Sequence, residues 1–140
     1  MSNLFNELKN DNRDDPYLIA EIGINHNGDI STAKKLIDAS NACNWDCVKF
    51  QKRDPDVCVP EEQKSVERDT PWGKMPYIDY KYRIEFGLDE YLALEKYCRD
   101  KPIDWTTSIW DINSLEFMTQ FDVPFIKIPS AKITNKQLMW

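Results

Sequence analysis

Apolar and polar positions follow two periods along this chain, and together they predict strands that alternate with helices. Short apolar runs rich in branched and aromatic residues are followed by longer stretches in which apolar residues recur every three or four positions. The predicted strands are residues 17–22, 47–51, 105–109 and 124–128. The predicted helices are residues 31–43, 88–99, 111–121 and 133–140.

Four consecutive strand-helix units imply a parallel sheet, because each helix returns the chain to the same edge of the sheet through a right-handed crossover. Two architectures fit this order of elements, an open doubly wound sheet and part of an eight-stranded barrel. A complete barrel needs about 250 residues. The chain has 140 residues and would supply only about half of one.

Two segments fall outside this pattern. Residues 1–15 are polar and predict an N-terminal tail, followed by one domain over residues 16–140. Residues 52–87 form a long connection with four prolines, of a length that is uncommon in compact domains unless the segment has a function or is disordered. Its aromatic second half predicts a short packed helix around residues 77–86, and its charged first half predicts a more mobile stretch. A surface excursion without any ligand role is the alternative.

Charge and composition exclude several classes of function. With 18 basic and 24 acidic residues, the net charge of −6 disfavours binding to nucleic acids or to an anionic membrane surface. No apolar run is long enough to span a bilayer. The four cysteines form no CxxC pair and there is one histidine, so a structural zinc site is not expected. Reduced cysteines and a polar start indicate a cytoplasmic protein.

Two lysines lie inside predicted strands. In strand 47–51 the period of two places Lys49 and Gln51 on one face and the apolar residues between them on the other. In strand 124–128 the same period turns Lys127 away from the isoleucines beside it. Two lysines that converge on one face need an anion, which is either a phosphate or carboxylate ligand at the strand ends or a carboxylate of the protein itself.

Three more polar residues at strand ends are candidates for a site. Glu21 ends the first apolar run, where it either neutralises one of the lysines or orients a substrate and moves a proton. His26 lies in the first strand-to-helix loop, where it either contacts a ligand or is simply solvated or hydrogen-bonded. Ser130 follows Pro129 after the fourth strand, and its hydroxyl either binds phosphate or caps the next helix.

A series of short segments carries a resemblance to a known family. In chain order they are AEIGINHNGD, AKKLIDAS, VKFQ, YKYRIEFG, SIWDINSLEF and KIPSAKITN. Over residues 17–140 they resemble the N-terminal barrel segment of the sialic acid synthases, a family that includes N-acetylneuraminate, legionaminate and pseudaminate synthases. The resemblance implies a partial (β/α)8 TIM barrel of about four parallel strand-helix units.

The resemblance also implies a reaction. Such enzymes are transferases that condense phosphoenolpyruvate with an N-acetylated amino sugar, giving a nine-carbon 2-keto acid and phosphate, with Mn²⁺ or Mg²⁺ as a Lewis acid. Carried over by position, Lys49, Lys127 and Ser130 match residues that hold phosphoenolpyruvate, whereas Glu21 and Gln51 match polar positions of the active site. We expect Glu21 to be catalytic and Gln51 to contact phosphoenolpyruvate.

Two departures from the family pattern limit what the resemblance implies. Lys132 stands where many relatives have an acidic residue, which removes a carboxylate from that position. The metal-binding histidines of the family, and an arginine from a small C-terminal domain of the partner subunit, lie beyond the matched segment. We therefore expect the chain to provide no metal ligands and to be inactive alone.

The end of the chain adds an expectation about assembly. Trp140 falls within an amphipathic segment, which favours a gene fragment or a truncated product, with self-association or pairing with the missing barrel half. Two alternatives stay open. One is a non-catalytic half-barrel that serves in binding or assembly, and the other is a different phosphoenolpyruvate-dependent aldol-type synthase.

Overall fold

The computed structural model describes residues 16–139, and the centre of this part of the chain is a parallel β-sheet. The predicted N-terminal tail, residues 1–15, lies outside the described residues. The strands are β1 (Ile19–Gly23), β2 (Cys47–Lys52), β3 (Glu67–Thr70), β4 (Gly73–Pro76) and β5 (Asp104–Ile109). Strands β1, β2 and β5 pair in that order and all run parallel, whereas β3 and β4 form a separate antiparallel hairpin.

Helices connect the parallel strands, as the apolar periodicity predicts. They are α1 (Ile30–Ala42), α2 (Pro55–Cys58), α3 (Glu61–Lys64), α4 (Tyr77–Ile84), α5 (Leu88–Asp100), α6 (Ile112–Met118) and α7 (Lys136–Met139). Helix α1 begins where the Asp29 carboxylate accepts a hydrogen bond from the Ser31 N–H at 2.8 Å, a typical N-terminal cap. No helix in this described stretch is long and apolar enough to cross a membrane.

The hydrophobic core lies between one face of the sheet and the helices. Val48 and Phe50 of β2 are fully buried in it, together with Ile37 of α1 and Leu94 of α5. Tyr91 is also fully buried and contacts four other aromatic rings, while its hydroxyl donates a hydrogen bond to the Gln51 carbonyl oxygen at 2.9 Å. The apolar side of the sheet is therefore closed by helices, and its polar side chains point the other way.

The end of the chain differs from the prediction. Residues 124–128 were expected to form a fourth strand, but they make a single parallel bridge, between Lys127 and Ser108. Pro124 and Pro129 flank this segment, and proline has no N–H with which to extend a ladder. The helix predicted for residues 133–140 is also shorter, because a 3₁₀ turn (Ser130–Lys132) comes first and α7 follows it.

The long connection after β2 contains regular structure throughout. Helix α4 confirms the helix predicted around residues 77–86. The charged first half, for which the sequence predicts a more mobile stretch, holds α2, α3 and β3.

This connection is anchored to the sheet at Gly28. The backbone of Gly28 has a φ of +71°, and a Cβ there would overlap the carbonyl oxygen of Arg83 at the end of α4. Only glycine combines this φ with so close an approach. The loop after β1 thus contacts the C-terminal end of α4 directly.

Candidate functional site

Lys49 lies at the centre of the polar face of the sheet. The residue is 4% exposed, and its Nζ donates hydrogen bonds to Glu21 Oε2 at 2.7 Å and to Ser108 Oγ at 3.0 Å. The Glu21 side chain is 62% exposed. The protein itself therefore supplies a carboxylate for Lys49, which is the structural alternative that the sequence left open. The ion pair is buried at the lysine and open to solvent at the glutamate.

The register of the strands places the other predicted residues on the same face. Glu21 is opposite Lys49, Gln51 is opposite Ser108, and Ser108 in turn bridges to Lys127. Residues opposite each other in neighbouring parallel strands point to the same side of the sheet. The register thus confirms that Lys49 and Lys127 share a face.

Lys127 lies on this face, and Ser130 follows it in the 3₁₀ turn. The backbone of Lys127 is fixed by hydrogen bonds to Thr107 and Ile109 of 3.1 Å each, while its side chain is exposed and forms no ion pair with any described residue. Ser130 is exposed at the first position of the 3₁₀ turn, and its hydroxyl does not cap that turn. Both side chains are accessible to a ligand.

His26 is placed differently from the other candidates. The residue is buried at 2% exposure, its ring stacks on Phe86 with centroids 3.9 Å apart, and its Nδ1 accepts a hydrogen bond from the Gly28 N–H at 3.1 Å. Burial lowers its pKa to about 4, against a smaller opposing effect of a backbone hydrogen bond at Gly23. The ring is thus neutral and hydrogen-bonded inside the domain, which is the alternative to a ligand contact that the sequence left open.

A second charged cluster follows the end of β2. The Arg53 guanidinium donates a hydrogen bond to Gln51 Oε1 and lies 4.8 Å from the centroid of the Trp110 ring. Its Nε is 3.6 Å from Glu85 Oε1, and the Arg53 N–H donates to Glu85 Oε2 at 3.3 Å. Burial raises the pKa of Glu85 to about 7, although the positive charges of Lys52 and Arg53 oppose this shift.

A cavity of about 170 Å³ opens beside this second cluster. Its lining comprises Arg53, Pro55, Cys58, Val59, Tyr77, Lys81 and Trp110. Lys81 is 8% exposed, with its Nζ 4.9 Å and 5.3 Å from the ring centroids of Tyr77 and Tyr80. We name this space the α4 cavity, after the helix that carries Tyr77 and Lys81.

Asp111 connects the ends of β2 and β5 beneath the α4 cavity. Its carboxylate accepts hydrogen bonds from the Asp54 N–H at 2.8 Å, the Cys58 thiol at 3.0 Å and the Ser114 N–H at 2.7 Å. Burial alone would raise the pKa of Asp111, but these bonds hold the pKa below its usual value. The Cys58 thiol has its pKa raised to about 12 by burial and by Asp111. This carboxylate is therefore already used within the protein.

The sequence did not single out Arg53, Lys81, Glu85 or Trp110. Trp110 follows directly after β5, so the same strand-end argument that identified Ser130 would have found it. Arg53 is two residues beyond Gln51 at the end of β2. Lys81 and Glu85 belong to the segment YKYRIEFG that carries the family resemblance, but no periodicity marks them as site residues, because they lie in the long connection.

The described residues offer no candidate metal centre. Between residues 16 and 139 there is no group of three or more histidine, cysteine, aspartate or glutamate side chains placed to hold a metal ion. All four cysteines are free thiols.

Comparison with known sequences identifies relatives. The chain matches the model of the NeuB family over residues 36–140. It is 41% identical over 130 residues to the N-acetylneuraminate-9-phosphate synthase of Drosophila melanogaster, covering 90% of this chain and 34% of that protein. The human protein of the same name is 37% identical over 123 residues, with coverages of 85% and 33%. The chain thus spans about a third of the length of these synthases.

A solved structure agrees with the sequence comparison. The crystal structure of the N-acetylneuraminic acid synthetase from Leptospira borgpetersenii serovar Hardjo-bovis, in complex with citrate, matches with a TM-score of 0.75 and 26% identity. The match covers 89% of this chain and 40% of that one. Together with the parallel sheet, it identifies the architecture as part of a (β/α)8 barrel. The chain belongs to the NeuB family.

Proposed function

We propose that this chain carries the phosphoenolpyruvate-binding part of a sialic-acid-synthase-type enzyme. The enzyme would condense phosphoenolpyruvate and water with an N-acetylated amino sugar to give a nine-carbon 2-keto sugar acid and phosphate, with the new C–C bond formed at C3 of phosphoenolpyruvate and the water added at its C2. The observation that carries the proposal is the buried Lys49, which shares the polar face of the sheet with Lys127 and is held by a carboxylate that is open to solvent.

The ion pair between Lys49 and Glu21 suggests how an anion would enter. A carboxylate or phosphate of phosphoenolpyruvate would replace Glu21 as the partner of Lys49, because the exposed Glu21 side chain can turn into water at little cost. Lys127 and the Ser130 hydroxyl would hold the other end of the same ligand. Glu21, released but still adjacent, would then orient the substrate or transfer a proton.

The names of two relatives support a particular sugar. The Drosophila and human proteins are named as synthases of a 9-phosphate. When C3 of phosphoenolpyruvate attacks the sugar aldehyde, three carbons are added ahead of C1 of the sugar, so C6 of the sugar becomes C9 of the product. We therefore propose a 6-phosphorylated N-acetylated amino sugar as the second substrate, with the unphosphorylated sugar as the alternative.

A divalent metal, Mn²⁺ or Mg²⁺, would polarise the sugar aldehyde in such an enzyme. The side chains described for residues 16–139 do not fit a metal centre, so we assign no step of the reaction through a metal to residues of this chain. Their proposed part is to bind and orient phosphoenolpyruvate. The free thiols support action in a reducing compartment such as the cytoplasm.

A second candidate is a binding or assembly module, which two surface grooves favour. One groove of about 340 Å³ runs beside β1, the edge strand, between Ile22 and Trp45. Another of about 330 Å³ lies between Met118 and Ile126, at the opposite side of the sheet. Further strands, or a second copy of the chain, would cover such edges.

Phosphate release from phosphoenolpyruvate tests the enzymatic proposal. We expect none with the 140-residue chain, and release with a protein extended through the remaining barrel segments, supplied with N-acetylmannosamine or its 6-phosphate. In the extended protein, Lys49→Met and Lys127→Met should each lower the rate by about 100-fold or more, since each removes a charge that faces the reacting anion. The exposed Lys35→Met on α1 is the matched control.

Two outcomes would contradict the proposal. One is an extended protein that binds no phosphoenolpyruvate. The other is a pair of lysine variants that behave like Lys35→Met, which would show that the shared polar face has no part in catalysis and would favour the assembly module.

A further inference from the structure

The α4 cavity contains hydrogen-bond donors that the protein does not use. The Nε of Arg53 and the Nε1 of Trp110 are both buried without an acceptor among the described residues. The Arg53 Nε is 3.6 Å from Glu85 Oε1, beyond hydrogen-bond distance. Lys81 lines the same cavity, and its Nζ lies over two tyrosine rings without a hydrogen bond to any residue within 16–139. Buried donors without a partner cost free energy. Two such donors and an ammonium group around one cavity indicate a ligand that is rich in acceptor atoms.

The charges around the cavity indicate that this ligand is an anion. Among the described residues that line it, the basic ones are Arg53 and Lys81, and no carboxylate is among them. The nearest acidic groups lie behind the lining, since Asp111 accepts a hydrogen bond from the Cys58 thiol. Glu85 lies next to Arg53, but burial holds its pKa near 7, so it neutralises the cluster only in part. The positive charge of Lys132 also acts on the Cys58 thiol, where it opposes the rise in pKa. Lys132 therefore adds positive charge near the cavity.

The shape and size of the cavity favour a phosphoryl group. A water molecule takes about 30 Å³ of liquid volume, so a cavity of about 170 Å³ has room for a group of several heavy atoms. A phosphomonoester presents three terminal oxygens and up to two negative charges. Guanidinium and ammonium groups are the side chains that bind such oxygens most strongly.

The location of the cavity connects it to the polar face of the sheet. Arg53 follows β2 and Trp110 follows β5, so both lie at the carboxyl ends of adjacent parallel strands, where barrel enzymes place their ligands. Gln51 belongs to both regions, because its register partner is Ser108, which binds Lys49, and its Oε1 accepts from Arg53. Gln51 therefore links the polar face that carries Lys49 to Arg53 in the lining of the α4 cavity.

We propose that the α4 cavity is a phosphomonoester subsite, in which Arg53, Lys81 and the Trp110 indole N–H hold the 6-phosphate of the amino sugar. The inference rests on the proposed function, since it assigns the far end of the second substrate. It makes Lys81 a specificity-determining residue that distinguishes phosphorylated from unphosphorylated sugars.

Titrations followed by NMR test this subsite on the protein as it exists. The Trp110 indole N–H resonance, assigned with Trp110→Phe, is followed while N-acetylmannosamine 6-phosphate, N-acetylmannosamine or inorganic phosphate is added. We expect the 6-phosphate to shift this resonance and to bind at least about tenfold more tightly than the unphosphorylated sugar, as one added charged hydrogen bond implies.

Variants of Lys81 assign the preference to this side chain. Lys81→Met should lower the ratio of the two sugar affinities by about tenfold. Lys81→Arg should restore most of that ratio, because it keeps the charge. Lys74→Met, which removes an exposed charge from β4 in the same connection, should leave the ratio unchanged.

Several results would overturn the subsite. They are equal affinity for the two sugars, an equal effect of Lys81→Met and Lys74→Met on the ratio, and a response to inorganic phosphate without any gain from the attached sugar. A parallel titration with phosphoenolpyruvate, with Lys49→Met as its variant, separates this failure from that of the proposed function. Binding of phosphoenolpyruvate without a preference for the 6-phosphate would remove the subsite alone.

Discussion

Lys49 and Lys81 are buried to a similar degree, at 4% and 8% exposure, and yet their surroundings neutralise them in different ways. Lys49 has a carboxylate at 2.7 Å and a hydroxyl at 3.0 Å. Lys81 has the faces of two tyrosine rings and an open cavity. Lys49 has two hydrogen-bond acceptors, whereas Lys81 has the attraction of aromatic rings and of the Glu85 charge but no hydrogen-bond acceptor among the described residues.

The difference shows two ways in which a protein keeps a cation ready for an anionic ligand. At Lys49 a solvent-exposed carboxylate holds the place of the ligand and must be displaced. At Lys81 the space itself is kept open, and aromatic rings offset part of the cost of burying the charge. A ligand at Lys49 exchanges one ion pair for another, and a ligand at Lys81 adds hydrogen bonds that the free protein lacks.

The largest expected effect concerns the carboxylate at Lys49. Glu21→Ala leaves a buried ammonium with only the Ser108 hydroxyl, and we expect it to lower the free energy of unfolding by about 3 kcal/mol, at the low end for broken buried pairs because Glu21 is 62% exposed. Glu21→Gln keeps an acceptor oxygen and should cost less than Glu21→Ala. Lys49→Met leaves an exposed glutamate in water and should cost about 1 kcal/mol or less. Urea unfolding at pH 7 measures all three, with the exposed Glu116→Gln on α6 as the control. Equal losses in Glu21→Ala and Lys49→Met would show that the pair is not buried at one end.

An intermediate effect concerns the pH dependence of the second cluster. Burial raises the pKa of Glu85 from 4.5 to about 7, so between these values the folded protein binds a proton that the unfolded chain has released. The stabilisation is complete below pH 4.5 and is lost as the pH rises through 7. In the parent protein, Glu85 should lower the free energy of unfolding by about 2 kcal/mol as the pH rises from 5 to 7, and Glu85→Gln should abolish this decrease.

The contribution of Glu85 is measured as a difference between the parent protein and Glu85→Gln in urea unfolding at several pH values. The difference is needed because His26, with its pKa lowered to about 4, gives a slope of the opposite sign between pH 4 and its usual value of 6.5. The exposed Glu62→Gln on α3 is the control. A difference that does not vary with pH would mean that Glu85 is ionised throughout and neutralises Arg53.

The smallest effect is expected at Lys81. Lys81→Met removes the attraction between the ammonium group and two tyrosine rings, which destabilises the protein. It also removes a charge that has no hydrogen-bond acceptor, which stabilises it. Because the two effects oppose each other, the free energy of unfolding should change by less than about 1 kcal/mol. Urea unfolding at pH 7 measures it beside Glu21→Ala. A loss as large as that of Glu21→Ala would show that Lys81 is a structural ion, and the contrast between the two lysines would disappear.

Much of the sheet could be predicted from the sequence, because the signal lies in neighbouring residues. The run from Cys47 to Lys52 alternates its faces in the way that the structure shows, and the helices between the strands have clear periodicity. The fourth strand could not be predicted in the same way. Residues 124–128 have strand-like composition, but Pro124 at the start of this segment and Pro129 after it have no N–H to donate. The segment therefore forms a single bridge rather than a ladder.

The two halves of the candidate site differ in the same respect. Lys49, Gln51 and Lys127 are identified by strand periodicity alone, and their shared face follows from it. The α4 cavity is lined by residues of α4 and by residues that follow β2 and β5, with more than twenty residues of chain between β2 and α4. No local pattern predicts that Lys81 and Arg53 line the same cavity, because tertiary packing brings them there.

The contact between Gly28 and the carbonyl of Arg83 has a consequence for how this protein tolerates change in length. Helix α4 is contacted both by the loop after β1 and by the hairpin of β3 and β4, because the Trp72 ring lies 6.4 Å from the Tyr80 ring and 4.1 Å from the Arg83 guanidinium. The place of Lys81 therefore depends on both contacts at once. Insertions next to Trp72, like any side chain at position 28, should displace Lys81 and so change which sugar is preferred.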